Sequence, residues 1–215
     1  MSLRKFEFAN GDFCHVFNRG VDKRDIFLDK NDIYRFIKGM EEFNTVDSIG
    51  SIHENSFIKN KQLGGKAPKL VNIICYCLNP NHYHFILEQL TDNGITKFMH
   101  KIGGYSRYFN LKYKRNGALF QGKFKAVYLS DNDQLLKTSV YVNLNDKVHS
   151  LGGKAPKLSS WDEYIGYCSS NFCKKDIILD QFKSKEDYKK FAEELLVDIK
   201  KQKAKEKEIE KLLLE

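Results

Sequence analysis

The sequence predicts a mixed fold of β-strands and α-helices around one core, and three observations carry that expectation. Apolar runs of strand length alternate along the chain with stretches whose apolar residues recur every three or four positions. At 215 residues the chain is long enough to bury one core with an appended piece, and aromatics at 13% suffice to fill it. From about Ser184 onward the composition turns Lys- and Glu-rich, with Phe191, Leu195 and Ile199 marking the inner face of a helix.

Residues 13–17 (FCHVF) read as a first strand that ends at the turn signal Asn18-Arg19-Gly20. Its His15 is a lone strand histidine, a pattern that is more often structural than part of a site. Asp29 is placed to cap a helix whose Ile33, Phe36, Ile37, Met40 and Phe43 face the core. Residues 47–60 fit either an irregular loop or a strand around 56–59. The octamer LGGKAPKL occurs twice, at 63–70 and 151–158. Two glycines and a proline exclude it from element interiors, so both copies are expected in exposed loops, as a duplication tolerated there.

Residues 71–88 (VNIICYCLNPNHYHFILE) form two apolar runs about an Asn79-Pro80-Asn81 break. Side chains on a strand alternate faces, so His82 and His84 share one side and Tyr83 takes the other. Neighbouring imidazoles can hold a divalent metal, although a bare pair needs further ligands. Asp92 or Asn93 then starts a helix with Ile95, Phe98, Met99 and Ile102 on one face. It is weakened at Gly103-Gly104 and followed by YSRYFNLKYKRNG. Here Tyr105, Tyr108, Phe109 and Tyr113 interleave with Arg107, Lys112, Lys114 and Arg115. Aromatic faces stack on unpaired bases and cations meet phosphates, which makes this the best nucleic-acid surface in the chain, with Phe109 and one tyrosine assigned to the core.

Residues 117–129 alternate as a strand or hairpin carrying Lys123 and Lys125, which join the expected DNA-contacting set. Ser130 or Asp131 caps a helix to about residue 145 with Leu136, Val140 and Leu144 inward. On it Tyr141 and Asn145 are four apart and share a neighbouring face. Residues 161–167 and 177–182 look like short packing segments. The tail lysines Lys200, Lys201, Lys203, Lys205 and Lys207 read as a solvated helix surface with capacity for DNA backbone.

Composition narrows the class. The 36 Lys and Arg against 28 Asp and Glu leave a net charge of +8, which favours a polyanionic partner. Five cysteines without a C-x-x-C pair argue against a disulfide framework and a structural zinc site. No apolar stretch approaches the roughly 20 residues of a membrane span and the N-terminus lacks a signal-peptide core, so the expectation is a cytoplasmic protein with no membrane partner.

Taken together, HVFNRGVDKRDIF at 15–27, LNPNHYHFIL at 78–87, YSRYFN at 105–110, GALFQGKFK at 117–125 and YVNLN at 141–145 resemble the REP-associated tyrosine transposases, part of the HUH single-tyrosine nuclease group. The resemblance implies an α+β, ferredoxin-like antiparallel sheet with helices packed on it, divided as a catalytic domain over 1–160 and a C-terminal helical extension over 161–215. It implies cleavage and joining of single-stranded or hairpin DNA by a monomer or homodimer. His82 and His84 match the metal ligands, for Mg²⁺ or Mn²⁺, and Tyr141 matches the nucleophile. Asn145 matches the polar residue that completes the metal site. Family members commonly have Asn-Pro where this chain has Asn145-Asp146.

Elementary chemistry supports those roles. A hard cation polarising a non-bridging phosphate oxygen offsets the charge that develops on attack. A tyrosine nucleophile conserves the bond energy as a phosphotyrosine, which a free 3′-hydroxyl later reverses. Tyr105 is the rival nucleophile but lacks an amide one turn on, and is assigned to DNA contact or packing. Metal-dependent amidohydrolases also begin with H-x-H on a strand but need a barrel of about 250 residues. The competing class is a domesticated single-stranded nucleic-acid-binding module that keeps the fold without the chemistry.

Overall fold

The structure is a computed structural model that describes residues 7–47, 50, 68–149 and 156–212, with side chains to 205. The expectation for 48–60 and most of both octamers fall outside the described residues, but the described ends depart from exposed loop: Leu70 is fully buried in the core, and Leu158 opens a short strand that pairs with Leu78, because each flanks a buried strand of the sheet. Strands β1 (Phe13–Arg19), β2 (Val71–Asn79), β3 (His82–Gln89), β4 (Lys125–Tyr128) and β5 (Leu158–Ser159) form one sheet. Helices are α1 (Lys30–Glu42), α2 (Gly94–Gly103), α3 (Tyr105–Lys112), α4 (Asn132–Asn143), α5 (Asn145–Val148), α6 (Trp161–Tyr164), α7 (Asp176–Leu179) and α8 (Lys185–Leu212).

The strand order is β4-β1-β3-β2-β5 with every neighbouring pair antiparallel. It contains two interlocked split βαβ units: β3 lies between β1 and β2, and β1 lies between β3 and β4. This is the expected ferredoxin-like sheet, extended by β5 at one edge. Residues 73–78 and 83–87 are buried without alternation, so the central strands are covered on both faces. On one face Phe36 of α1 packs against Tyr83 and Phe85, at ring separations of 5.6 and 6.3 Å. On the other face α4 packs across β2 and β3, and α8 packs on α4.

Local chemistry explains most boundaries. Asp29 caps α1 in a reciprocal capping box with Asp32, and the Asp131 side chain accepts the Gln134 N–H at the start of α4. Neither Asp92 nor Asn93 caps α2 by its side chain; Asn93 instead enters the left-handed region, φ 59°. The segment expected to be strand or hairpin over 117–129 pairs only in β4 and through one bridge from Phe120 to Gly20. Helix α4 also stops earlier than its periodicity suggests, at Asn143. Leu144 (φ −110°, ψ 21°) breaks the helix, and Asn145 opens the short α5.

Helices α6, α7 and α8 share the core of the sheet. Tyr164, Ile178, Tyr188 and Ala192 are fully buried and belong to the same core cluster as the sheet. The Tyr188 hydroxyl accepts from Asn143 Nδ2 at 3.0 Å and lies 3.3 Å from Ser139 Oγ. Ser160 Oγ donates to Asn143 Oδ1 at 2.6 Å and accepts the Tyr76 N–H at 2.9 Å. This buried network ties β2, α4 and α8 at the residue between Tyr141 and Asn145. Tyr188→Phe strands the Asn143 amide and is expected to cost about 1–3 kcal/mol, read from urea unfolding. Among the described residues no helix is long and apolar enough to cross a membrane.

Candidate active site

His82 follows directly from the β2–β3 turn, and the loop after β1 fixes that turn. The N–H groups of Ile26 and Phe27 both donate to the Pro80 carbonyl, at 2.7 and 3.0 Å, and the Gly20 N–H donates to the Asn81 carbonyl at 2.8 Å. A Cβ on Gly20 would stand 2.1 Å from the Arg24 carbonyl oxygen, so only glycine fits there. Sheet register then sets out the face. One cross-strand row reads Arg19, His82, Asn79, and the next reads Lys125, Phe17, His84, Cys77. Directly opposite residues share a face, so both histidines face the side covered by α4.

Three side chains converge at His82. Its Nδ1 lies 2.6 Å from Asn81 Oδ1, which only accepts, and its Nε2 lies 3.0 Å from Asn79 Nδ2, which only donates, so the neutral ring carries its proton on Nδ1 and keeps a lone pair on Nε2. That Nε2 faces Asn145 Oδ1 at 2.9 Å, and Asn79 Nδ2 donates towards both, at 3.0 and 2.8 Å. Two lone pairs thus stand about as far apart as adjacent ligands of an octahedral ion with bonds near 2.1 Å. Rotating the Asn145 amide would set its amino group against that of Asn79. The observed orientation leaves Asn145 Nδ2 buried with no hydrogen-bond partner among the described residues. Such an orphan costs about 1–3 kcal/mol, which marks the amide as held for its oxygen.

His84 stands edge-on to His82 with ring centroids 5.2 Å apart. Burial pushes the His84 imidazole well below the ordinary range, and pushes His15 down to about 4. Burial is also the leading cause that lowers His82, against the hydrogen bond that the protonated ring would donate to Asn145, which raises it; Lys203 and Arg19 lower it further. Neutral imidazoles present the lone pairs that a cation requires. Among the described residues no three His, Cys, Asp or Glu side chains form a metal-binding cluster, so the donor set depends on the Asn145 amide oxygen. The residues present fit a hard divalent ion with mixed nitrogen and oxygen donors.

The same burial predicts a pH effect on folding. A histidine whose folded pKa lies below its unfolded value contributes stability that is complete above about pH 6.5 and is lost as pH falls towards the folded pKa. His15 alone then accounts for roughly 3 kcal/mol lost between pH 6.5 and 4. Urea unfolding at pH 7 and 4.5 checks this, and His15→Phe should lose correspondingly less.

Tyr141 completes the cluster. Its ring stands edge-on to His84 at 5.6 Å and to His15 at 5.9 Å, and Lys203 Nζ of α8 lies 5.4 Å from its centroid. His149, at the end of α5, is 5.7 Å from His82 and 6.5 Å from Tyr141. The structure therefore brings together Tyr141, His82, His84 and Asn145. Sequence reasoning left out His149 and the Asn79 and Asn81 amides, and treated His15 as structural. Asn79 and Asn81 were visible only as turn formers, and His149 follows Asn145 by four residues, a spacing that signals little by itself.

The expected DNA-contacting residues divide. Lys125 shares the histidine face at the sheet edge, and Lys123 is exposed on the loop before it. Tyr105 is in the core, 4% exposed, with its hydroxyl donating to the Ile26 carbonyl at 2.7 Å. Lys112 is held by Asp29 and Asp32, each at 2.8 Å, and the Arg115 guanidinium lies over the Phe109 ring. Arg107 and Lys114 are exposed. Helix α3 packs with α1 on the Tyr83–Phe85 side of the sheet, so this basic group lies across the sheet from Tyr141.

Comparison with known proteins adds the following. Residues 60–145 match the model of a family described as IS200-like transposases. Among solved structures, a REP-associated tyrosine transposase bound to a REP hairpin aligns at a TM-score of 0.53 and 12% identity, over 77% of this chain and 86% of that one. No curated protein matches the chain. Over residues 60–145, then, the chain resembles the IS200-like transposases, and its fold is similar to that of a REP-associated tyrosine transposase.

Proposed function

We propose that the protein cuts and rejoins single-stranded DNA beside a hairpin-forming repeat, with Tyr141 as nucleophile and Mg²⁺ or Mn²⁺ held by His82, His84 and Asn145. The observation that carries this reading is the convergence of three separate segments. A tyrosine ring from α4 stands 5.6 Å from one buried imidazole of β3, while an amide oxygen from α5 meets the other at 2.9 Å. Likeness in fold to a transposase whose solved structure holds a REP hairpin supports DNA as the partner.

In the proposed step the Tyr141 oxygen attacks a backbone phosphorus and loses its proton to solvent. The P–O bond to the neighbouring 3′ oxygen breaks, and that oxygen leaves as a 3′-hydroxyl on taking up a proton. The product is a 5′-phosphotyrosine, and a 3′-hydroxyl attacking it later restores the backbone. An ion held by His82, His84 and Asn145 would polarise a non-bridging oxygen, and the nitrogen donors would favour Mn²⁺ over Mg²⁺. Arg19, Lys125 and Lys203 rim the face and meet the strand's phosphates. Lys203, whose Nζ lies 5.4 Å from the Tyr141 ring centroid, offsets charge as the phenol adds to phosphorus. Tyr105 is unsuited to the role: its hydroxyl is committed in the core, and burial, followed by the charge on Asp32, pushes its phenol upward. Tyr141 sits beside its own chain's histidines, which supports a site complete in one protomer.

A hairpin oligonucleotide with a single-stranded flank, labelled at its 3′ end and incubated with protein and Mn²⁺, tests the proposal. A covalent protein–DNA adduct on a denaturing gel, absent with chelator, is expected. Binding in a gel shift with no metal-dependent adduct would overturn catalysis and leave a DNA-binding module.

A further inference from the structure

Nothing in the spacing of His15 connects it with the later histidines, yet its Nε2 lies 2.8 Å from His84 Nδ1. The ring centroids are 5.1 Å apart with 19° between the planes. Given the short distance between the facing nitrogens, the rings lie nearly in one plane and end to end. That is the geometry of an N–H···N hydrogen bond rather than of face-to-face stacking. The arrangement repeats what happens at His82, whose Nδ1–H is taken by Asn81 Oδ1 at 2.6 Å. Each histidine of the strand pair thus has its Nδ1 engaged by a neighbour, which leaves its Nε2 as the remaining donor atom.

We infer that His15 is a positioning residue for His84: its Nε2 accepts the His84 Nδ1–H, which fixes the ring's tautomer and direction and keeps Nε2 of His84 as a lone-pair donor. A neutral imidazole has one N–H, so a proton resting instead on Nε2 would remove His84 as a ligand. Histidines that hold metals commonly donate their other N–H to an acceptor such as a carboxylate, a carbonyl or water, and losing that acceptor weakens metal binding about 10–100-fold; the Nε2 of His15 takes that place here. Register makes the contact possible. Phe17 of β1 pairs with His84, so His15, two residues back on the same face, reaches the ring diagonally, while the Phe17 ring, 5.5 Å away, limits tilting.

This inference rests on the proposed metal site, and the experiment separates the two. Mn²⁺ binding followed by electron paramagnetic resonance is compared for wild type, His84→Ala, His15→Phe and His15→Gln. His15→Phe keeps a ring of similar size but no acceptor, whereas His15→Gln puts an amide oxygen near the position of Nε2. About 10–100-fold weaker binding is expected for His15→Phe, with His15→Gln within about threefold of wild type. Two-bond ¹H–¹⁵N spectra of metal-free protein should show His84 protonated on Nδ1 in wild type, and a mixture of tautomers in His15→Phe. Wild-type Mn²⁺ binding that His84→Ala removes and His15→Phe leaves intact overturns the inference alone. A wild-type protein that takes up no Mn²⁺ overturns the site reading and the inference together. If His15→Phe does not fold, the wild-type spectrum still decides, since His84 protonated on Nε2 contradicts the assignment.

Discussion

Tyr141→Phe is expected to abolish the covalent adduct with single-stranded DNA while leaving the protein folded and able to bind it. The substitution removes one oxygen and keeps the ring that packs edge-on to His84 and His15 and lies beneath Lys203. Stability should therefore change by less than about 1 kcal/mol, as for other substitutions that conserve packing. Loss of a nucleophile costs on the order of four decades or more in rate, about 5 kcal/mol or more of barrier. Tyr105→Phe provides the contrast: it deletes a buried hydrogen bond to the Ile26 carbonyl, so it should lower stability by about 1 kcal/mol and leave adduct formation intact. Equal adduct yields from wild type and Tyr141→Phe would remove Tyr141 from the chemistry.

The second large effect is expected at Asn145. With Asn145→Ala, Asn79 Nδ2 has only the His82 Nε2 lone pair left to meet, at 3.0 Å. The site then loses one donor oxygen and has a second donor tied up by a hydrogen bond. Mn²⁺ affinity should fall by at least the roughly 100-fold at the upper end for loss of an outer-shell partner, and adduct yield should fall with it. Asn145→Asp separates the oxygen from the amide. It keeps an acceptor for Asn79 and removes the orphaned Nδ2, but it buries a carboxylate, because the position is 0% exposed. Without metal that charge should destabilise the fold by several kcal/mol. Saturating Mn²⁺ should restore stability through binding to the folded state, seen as a larger metal-induced rise in Tm than in wild type. An Asn145→Asp protein whose Tm ignores Mn²⁺ would show that this side chain does not face the ion.

Much of the frame was legible in the order of residues. Apolar runs with a tight break at Asn79-Pro80-Asn81 predict the β2–β3 hairpin, and period two alone puts His82 and His84 on one face. Asp29 announces the start of α1, and Ser130 or Asp131 that of α4, because a cap depends on residues only a turn away. The basic, aromatic stretch after Gly104 was harder to read. Tyr105 and Lys112 have the composition of a nucleic-acid surface, yet a buried carbonyl from residue 26 and two carboxylates near the start of α1 claim them. Those partners lie about 80 residues away. Composition ranks what a side chain is able to bind and is silent about which partner arrives first.

Local spacing by itself determined the β2–β3 hairpin, the helices α1 and α2 and the pairing of two imidazoles on one face, because backbone periodicity and capping act over a few bonds. Only the tertiary structure decided that His15 meets His84 across 69 residues, that Lys203 reaches Tyr141, and that a break at Leu144 sets Asn145 against His82. Those contacts follow from strand order, register and the closing of α8 over α4. Each is settled by burying the shared core as a whole, a sum over the entire chain that no single stretch of it contains.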